Sequence, residues 1–319
     1  MTMKATKVLM IMSAVLTTCL LLSCEHKEIV CPAGVIRQIS VSYDWRRASE
    51  ASPEGMTLYF YPEQSYGQIW RYDIAGRDGG AIEIPAGRYR MVTFNNDLAG
   101  IDVTGTEDYR TISAQARRLV SNDGTMPPGM LYCANVSNVE VTLCGVKYTT
   151  SGGETKECGM SVVRCYPDSA ATAISVVAPD VKGISRIKSA SCRLKGSATG
   201  YLFAEGVCTG DITTTFFTIG KDVAGSGLET MTTAFAPIQS PQSAYTLSLV
   251  VTLTDGTTLL RNYDVTQEFM NPLGRHFVLI EIKGLEIPET GGPPEPGGDI
   301  GGIDVDVDGW TVIDIDIES

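Results

Sequence analysis

Apolar and polar residues alternate along most of the chain from residue 35 onward. In residues 39–45 every second position is apolar, and Ser40, Ser42 and Asp44 fill the positions between, which is typical of a strand with one buried face. Such runs are short and are separated by glycine, proline and asparagine, as in a β-sandwich or barrel. The same reasoning predicts strands over residues 56–61, 71–74, 81–84, 89–94, 160–166, 173–177, 187–194, 201–204, 213–219, 245–254 and 277–282.

Two local patterns stand out from this alternation. In residues 108–120 the apolar positions, from Tyr109 and Ile112 to Val120, fit a helical stripe, which predicts a helix that caps an open end of the first sandwich. Asp255-Gly256 lies between two apolar runs and predicts a β-hairpin with a type I′ turn.

The turn-rich segments suggest how the chain is divided. Met126-Pro-Pro-Gly129 and residues 149–154 are the clearest loops in its middle, and we expect the domain boundary between them. The predicted fold is all-β, with two tandem sandwiches. The expected divisions are a signal peptide (1–23), a tether (24–34), an N-terminal sandwich (35–148), a C-terminal sandwich (149–287), a Gly/Pro linker (288–302) and an acidic extended strand (303–319).

The first 24 residues have the features of an export signal. Lys4 and Lys7 precede an uncharged run over residues 8–22, which is shorter than the roughly 20 apolar residues that span a bilayer as a helix. The run ends in Leu21-Leu22-Ser23-Cys24, which resembles the bacterial lipobox. We therefore expect Cys24 to carry a lipid after cleavage, and Glu25 favours the outer membrane over the inner one. A plain secretory signal is the alternative.

Charge is concentrated at the C-terminal end. The formal net charge is −12, and residues 286–319 contain ten acids and no Lys, Arg or His. Nucleic acid is therefore not an expected partner.

Cysteine usage gives no sign of a metal site. Without Cys19 in the signal and the acylated Cys24, seven cysteines remain, and none has metal-ligand spacing. We favour the interpretation that they are small buried hydrophobes over a disulfide framework, which export would also permit. The seven are Cys31, Cys133, Cys144, Cys158, Cys165, Cys192 and Cys208.

The chain offers little for catalysis. It has only two histidines, of which His26 lies beside the expected lipid and His276 precedes a strand, and no nucleophile, zinc or nucleotide motif is present. A glycosidase built on two carboxylates is the remaining enzymatic alternative. Asp304-Val-Asp-Val-Asp-Gly309 begins like a calcium loop, but Ile315 stands where a bidentate Glu is required. We expect no catalytic residue, no metal and no cofactor.

Aromatic residues provide the alternative binding chemistry. Tyr59, Tyr61, Tyr66 and Trp70 cluster in the sequence and could form a flat platform for a glycan. Burial in the core is the simpler interpretation, and an exposed coplanar row of these rings would decide in favour of the platform.

Several motifs carry a family resemblance. The first half contains Val41-Ser-Tyr-Asp-Trp45, Pro53-Glu-Gly-Met-Thr-Leu-Tyr-Phe-Tyr-Pro62, Gly79-Gly80, Ile84-Pro-Ala-Gly-Arg-Tyr89 and Phe94-Asn-Asn-Asp97. The second half contains Gly183-Ile-Ser-Arg-Ile-Lys-Ser-Ala-Ser-Cys-Arg-Leu-Lys-Gly196, Gly200-Tyr-Leu, Tyr263-Asp-Val-Thr266 and Phe277-Val-Leu-Ile-Glu-Ile282. These motifs resemble a family of Bacteroidetes lipoproteins that is similar to the fimbrillins, the subunits and anchors of lipoprotein-derived pili.

The resemblance implies two transthyretin-like sandwiches and a structural or adhesive role on the cell surface, as a subunit, anchor or tip component of pili. Its implied partners are the outer membrane, through the N-terminal lipid, and pilus subunits of the same family. A glycan-binding surface lipoprotein, with a glycan or host surface ligand, is the alternative. In fimbrillins, cleavage after an arginine removes the leading strand, so Arg46 and Arg47 are candidate processing residues.

The C-terminal segment alternates between apolar and acidic residues over most of its length. Acidic residues separate its β-branched positions, with Gly309 and Trp310 interrupting the pattern, which predicts a strand that pairs with a sheet edge, as in donor-strand complementation. A disordered acidic tail is the alternative. The candidate donor-strand residues are Ile303, Val305, Val307, Ile313, Ile315 and Ile317.

Overall fold

A computed structural model describes residues 35–64, 67–120, 124–142, 145–150, 153, 155–158, 161–238 and 243–289. The expected signal, Cys24, the tether and the candidate donor strand therefore lie outside the described residues. Within the described ranges the secondary structure is almost entirely β, which confirms the all-β sandwich prediction. No helix in those ranges is long and apolar enough to cross a bilayer.

The first half of the chain forms twelve strands in the described residues. They are β1 (Ile36–Tyr43), β2 (Gly55–Pro62), β3 (Trp70–Ala75), β4 (Gly79–Pro85), β5 (Gly87–Asn95), β6 (Ile101–Thr104), β7 (Ser113–Ala116), β8 (Tyr132–Val141), β9 (Val146–Thr150), β10 (Thr155–Cys158), β11 (Val162–Cys165) and β12 (Asp168–Ser169). A short 3-10 helix, Trp45–Arg47, follows β1.

The second half adds eight strands in the described residues. They are β13 (Thr172–Ala178), β14 (Ile187–Leu202), β15 (Val207–Thr218), β16 (Gly220–Lys221), β17 (Leu228–Ala234), β18 (Thr246–Leu253), β19 (Thr258–Asp264) and β20 (Phe277–Glu281). A second 3-10 helix, Ile184–Arg186, precedes β14, and one α-helical turn, α1 (Thr266–Met270), follows β19.

Two sheets enclose the first core. A three-stranded sheet in the order β11-β1-β4 faces a seven-stranded sheet in the order β10-β9-β8-β5-β2-β3, with β12 paired to β8. Ile39 and Val41 of β1 pack with Met56, Leu58 and Phe60 of β2, and all five side chains are buried. The alternation in β1 and the apolar run in β2 therefore arise from burial against each other.

The second core lies between two further sheets. A four-stranded sheet in the order β16-β17-β13-β20 faces a six-stranded sheet in the order β19-β18-β14-β7-β6, with β15 paired to β14. Ile174 and Val176 of β13 pack with Leu247 and Leu249 of β18. The tandem transthyretin-like arrangement stays a prediction.

The helix predicted over residues 108–120 is wrong. Residues 113–116 form β7, which pairs with β6 and with the end of β14, and the preceding residues form turns. Asp108 Oδ1 accepts a hydrogen bond from Arg110 N, and Thr111 Oγ1 donates to Gly105 O, so side chains stabilise the turn. Val120 is fully exposed although the helical stripe required it to be buried.

The hairpin predicted at Asp255-Gly256 is confirmed, but its turn type is wrong. β18 and β19 pair from Thr246↔Asp264 to Thr252↔Thr258. Only Gly256 has positive φ, at 90°, whereas a type I′ turn needs positive φ at both central residues. Asp255 instead accepts a hydrogen bond from Thr257 N through its side chain.

Strand pairing continues the first sandwich beyond the expected boundary at residues 148/149. β10 pairs with β9, β11 pairs with β1, and β12 pairs with β8, so these three strands belong to the first two sheets. Conversely, the β6–β7 hairpin extends a sheet of the second sandwich through β14. Local loop composition did not reveal the pairings of β1 with β11, β8 with β12 and β7 with β14, because each of these joins strands that are distant in sequence.

Candidate functional site

The candidate processing residues lie at the end of β1. Arg46 and Arg47 occupy the 3-10 helix, directly after Asp44, which caps that helix. Arg46 Nε donates to both carboxylate oxygens of Asp44, at 2.9 and 3.0 Å, and these bonds hold the pKa of Asp44 below its usual range. The Arg46 side chain is 77% exposed, so this segment is accessible from solvent.

The strand before these arginines is enclosed on both sides. β1 runs antiparallel to β4 from Ile36↔Pro85 to Ser42↔Gly79, and parallel to β11 from Ser40↔Val162 to Tyr43↔Cys165. Its side chains Ile39 and Val41 are 1% and 2% exposed. Withdrawal of β1 would therefore leave a strand-shaped groove with two unpaired edges and an open core.

An open cleft of about 720 Å³ lies where β1 meets the 3-10 helix. Trp45 forms its apolar wall and is itself 7% exposed. Trp45 Nε1 donates to Arg77 O at 2.6 Å, and the Arg77 guanidinium lies 5.2 Å from the centre of the indole ring system. These contacts fix Arg77 at the cleft. The lining consists of Ser42, Tyr43, Asp44, Trp45, Arg46, Ser49, Arg77, Asp78 and Arg164.

The cleft lining carries an excess of positive charge, because its three arginines stand beside two aspartates, a formal net charge of +1. Arg46 is paired with Asp44, but Arg77 and Arg164 form no ion pair with any described residue. Arg164 contributes to the lowered pKa of Asp44, so its charge acts on the same cleft. The sequence pattern singled out Arg46 but neither Arg77 nor Arg164, because the β1–β11 pairing brings Arg164 across 118 positions of sequence.

The aromatic cluster does not form an exposed coplanar row in its described members. Tyr61 is 4% exposed and stacks with Tyr59, and both pack in an apolar cluster on one face of the seven-stranded sheet. Trp70 packs against the first core, on the opposite face. Tyr66 lies outside the described residues. The core interpretation therefore accounts for the three rings that can be placed.

The four cysteines whose side chains are described behave as small hydrophobes. Cys133, Cys165 and Cys192 are buried, Cys208 is half-buried, and all four thiols are free. Burial raises the pKa of Cys133, Cys192 and Cys208 to about 12, which leaves almost no reactive thiolate at neutral pH.

His276 joins the two halves of the molecule. Its Nε2 lies 3.1 Å from Asp168 Oδ1 in β12, and Arg275 Nη2 lies 2.6 Å from Asp168 Oδ2. Burial raises the pKa of Asp168, but the His276 and Arg275 interactions outweigh it and lower the pKa overall. This histidine therefore contacts a structural ion pair rather than a nucleophile. In the described part of the chain, no group of three or more His, Cys, Asp or Glu side chains could hold a metal ion.

Comparisons with known proteins extend over most of the chain. A family model described as a domain of unknown function, DUF5119, matches residues 23–218. A Bacteroides ovatus protein named "Putative fimbrium anchoring subunit Fim4B" is 27% identical over 325 aligned positions, which cover 91% of this chain and 92% of that protein. The similarity to fimbrial proteins predicted from the motifs is confirmed.

Two solved structures share the fold. A crystal structure of a "putative adhesin" from Bacteroides ovatus has a TM-score of 0.62 and 19% identity, and the match covers 82% of this chain and 95% of that one. A crystal structure of "putative polysaccharide binding proteins (DUF1812)" from Bacteroides thetaiotaomicron has a TM-score of 0.50 and 12% identity, with 78% and 91% coverage.

Proposed function

This chain belongs to the DUF5119 family, and we propose that it is a structural subunit of bacterial surface fimbriae that acts as their lipid-linked anchor rather than as an enzyme. The observation that carries this proposal is the full-length relationship to a protein named as a fimbrium anchoring subunit. That relationship includes both sandwiches, so it does not depend on one widespread domain. The four described free thiols, which are unreactive, and the structural role of His276 are consistent with a non-catalytic protein.

The anchor itself is Cys24. Only eleven residues separate it from the start of β1 at Ile36, a span of at most about 40 Å. A lipid on Cys24 would therefore hold the first sandwich close to the membrane surface. A lipoprotein cysteine carries more than one acyl chain, which makes attachment stable.

Cys24→Ala tests this proposal. We expect the variant to leave the membrane fraction, and fimbriae to be released from cells into the medium. Cys19→Ala is the matched control because it also removes a cysteine near the cleavage site but lies within the apolar run. Membrane association of Cys24→Ala equal to that of Cys19→Ala would contradict lipid attachment. Membrane release without any effect on fimbriae would contradict the anchoring role but would still support lipid attachment at Cys24.

An anchoring role also predicts that Arg46-Arg47 stays uncut in the native protein. β1 connects the expected lipid to the body of the protein, so cleavage after either arginine would leave the body attached only by noncovalent strand pairing. N-terminal sequencing of protein from cell envelopes distinguishes the roles. A sequence that starts at Arg47 or Ala48 would indicate a processed shaft subunit instead.

We also propose that residues 303–319 supply a strand to a neighbouring subunit. Most odd-numbered residues of this segment are β-branched and most even-numbered ones are acidic. The segment can therefore pair along a sheet edge, and its acidic face keeps it soluble before assembly. The linker before it, residues 288–302, can extend about 50 Å. Replacing Ile313, Ile315 and Ile317 by Ser should abolish assembly, whereas replacing Asp314 and Asp316 by Asn should preserve it. Normal assembly of the first variant would contradict strand donation.

A further inference from the structure

We propose that the cleft at the end of β1 binds an acidic saccharide, through carboxylate or sulfate groups on the sugar. This site is separate from the fimbrial role, and its test uses binding by purified protein, so either proposal can fail while the other stands. Three features of the cleft support it: unpaired arginines, acidic acceptors beside them, and the enclosed position of β1.

The unpaired arginines define the charge of the ligand. Arg77 and Arg164 line an open cleft and form no ion pair with a described carboxylate, although Arg164 acts on Asp44 at longer range. Some described arginines elsewhere pair with an Asp or Glu, and others, such as Arg47 and Arg261, form no ion pair with a described residue. The feature that distinguishes Arg77 and Arg164 is therefore that they line one cleft together. A guanidinium forms bidentate hydrogen bonds with carboxylate and sulfate oxygens, so these two side chains select an oxyanion.

Arg77 is held in place before any ligand arrives. Its guanidinium lies over the Trp45 ring, and its backbone carbonyl accepts the indole hydrogen bond. An arginine whose stem is already ordered loses less conformational entropy when it binds. Ser42, also in the lining, has its Oγ buried without a hydrogen-bond partner in the described structure.

The acids in the cleft distinguish a saccharide from other anions. Arginine only donates hydrogen bonds and an ionised carboxylate only accepts them, and the lining includes Asp78, which forms no ion pair with a described residue. A free sulfate, or a glutamate side chain of a peptide, offers acceptors that Asp78 would repel. An acidic sugar carries both an oxyanion for the arginines and hydroxyl donors for Asp78.

The position of β1 disfavours a peptide that binds as an added strand. β1 is already paired with β4 on one side and β11 on the other, so at this cleft it presents no free edge. A ligand must therefore be recognised by side chains, which suits a sugar chain lying across an open cleft.

Titration calorimetry on the full-length protein tests the inference, at about 0.15 M salt. The probes are oligogalacturonate, a sulfated dextran, neutral dextran and poly-glutamate. We expect oligogalacturonate or sulfated dextran to bind, and the tighter of the two identifies the oxyanion. Neutral dextran should not bind. Binding of neutral dextran as tight as that of the acidic sugars, or no binding of either acidic sugar, would overturn the proposal.

Arginine variants show whether this cleft is responsible. Arg77→Gln with Arg164→Gln should weaken acidic-sugar binding about tenfold or more. Arg88→Gln with Arg117→Gln is the matched control, because it removes the same charge from exposed arginines elsewhere. Equal weakening by both pairs would assign binding to overall charge and refute the cleft. If loss of the Arg77–Trp45 contact lowers the melting temperature, the exposed Arg164→Gln alone serves as the test.

Asp78→Asn separates the saccharide from a peptide. Removal of its charge should weaken sugar binding, because a hydroxyl acceptor becomes poorer, but it should strengthen binding of an acidic peptide. The proposal would be refuted if poly-glutamate bound as tightly as oligogalacturonate and Asp78→Asn strengthened the binding of both. That result would show that the cleft binds an acidic polypeptide.

Discussion

Asn95 ends β5 within the Phe94-Asn-Asn-Asp97 motif, and we predict that Asn95→Ala destabilises the protein by about 3 kcal/mol. The side chain is 1% exposed and makes three hydrogen bonds. Its Oδ1 accepts from Tyr132 N at 2.7 Å, and its Nδ2 donates to Met130 O at 3.0 Å and to Asp97 Oδ1 at 2.6 Å. Asn95 therefore holds the segment that enters β8 against the end of β5.

The magnitude follows from the surroundings of each partner. Asp97 is exposed, so water replaces its lost bond at little cost. Tyr132 N and Met130 O belong to half-buried residues, and each loses a bond that contributes about 1 kcal/mol. A polar group left without a partner adds a similar penalty, so the total is about 3 kcal/mol. For a chain of this size we expect the melting temperature to fall by about 6–12 °C.

Thermal and urea denaturation measure this effect, with Asn96→Ala as the matched control. Asn96 is exposed, and its backbone N–H bond to Gly55 O does not involve the side chain. Asn95→Asp adds a pH signature. The introduced carboxyl would face Asp97 and Met130 O, so its pKa in the folded state rises, and stability should recover as the pH falls toward about 4. Loss of less than about 0.5 kcal/mol in Asn95→Ala, equal to that in Asn96→Ala, would refute the reasoning.

Two further predictions concern the connection between the sandwiches and the pairing of β1. Asp168→Asn should destabilise the protein by roughly 1 kcal/mol at neutral pH, because it weakens the contact with His276. Because the pKa of Asp168 is lowered, the stability that the ion pair contributes is lost as the pH falls through that pKa. The free energies of unfolding of parent and variant, measured in urea, should therefore converge below about pH 3. A difference between them that stays constant with pH would contradict the ion pair. Gly79→Ala should cost more than about 3 kcal/mol, since a Cβ at its φ of +103° would overlap Val41 O, whereas Gly76→Ala, with φ of +73° and open space, should cost about 1–2 kcal/mol. Equal unfolding midpoints for the two glycine variants would contradict the expected overlap between a Cβ at residue 79 and Val41 O.

Period-two alternation predicted most strands because one face of each is buried. It failed at β7, where the sequence Ser-Ala-Gln-Ala has weak strand propensity. Its partner in β14 lies far along the chain, with Gly200 opposite Gln115, a separation of 85 residues. A local window contains no trace of such pairing, so an accidental helical stripe was the stronger local signal.

The same limit applies to the cleft. Arg46 could be singled out because it follows a clear strand, but its significance depends on neighbours supplied by other strands. Arg77 arrives through the turn between β3 and β4, and Arg164 arrives through the parallel pairing of β11 with β1. Parallel pairing requires a long crossover, and its register cannot be read from either strand alone.

The seven-stranded sheet explains why β5 does not alternate. Residues 91–95 are all buried, because one face of β5 packs on the first core and the other on a third apolar cluster shared with the second half of the chain. There Phe94 stacks on Phe203 at 4.8 Å, and Asn135 Nδ2 donates to the carbonyls of Phe203 and Ala204. The two sandwiches therefore share buried surface and cannot separate without exposing it. For the proposed anchor, this shared cluster would let tension from a fimbria reach β1 through packed sheets rather than through a flexible linker.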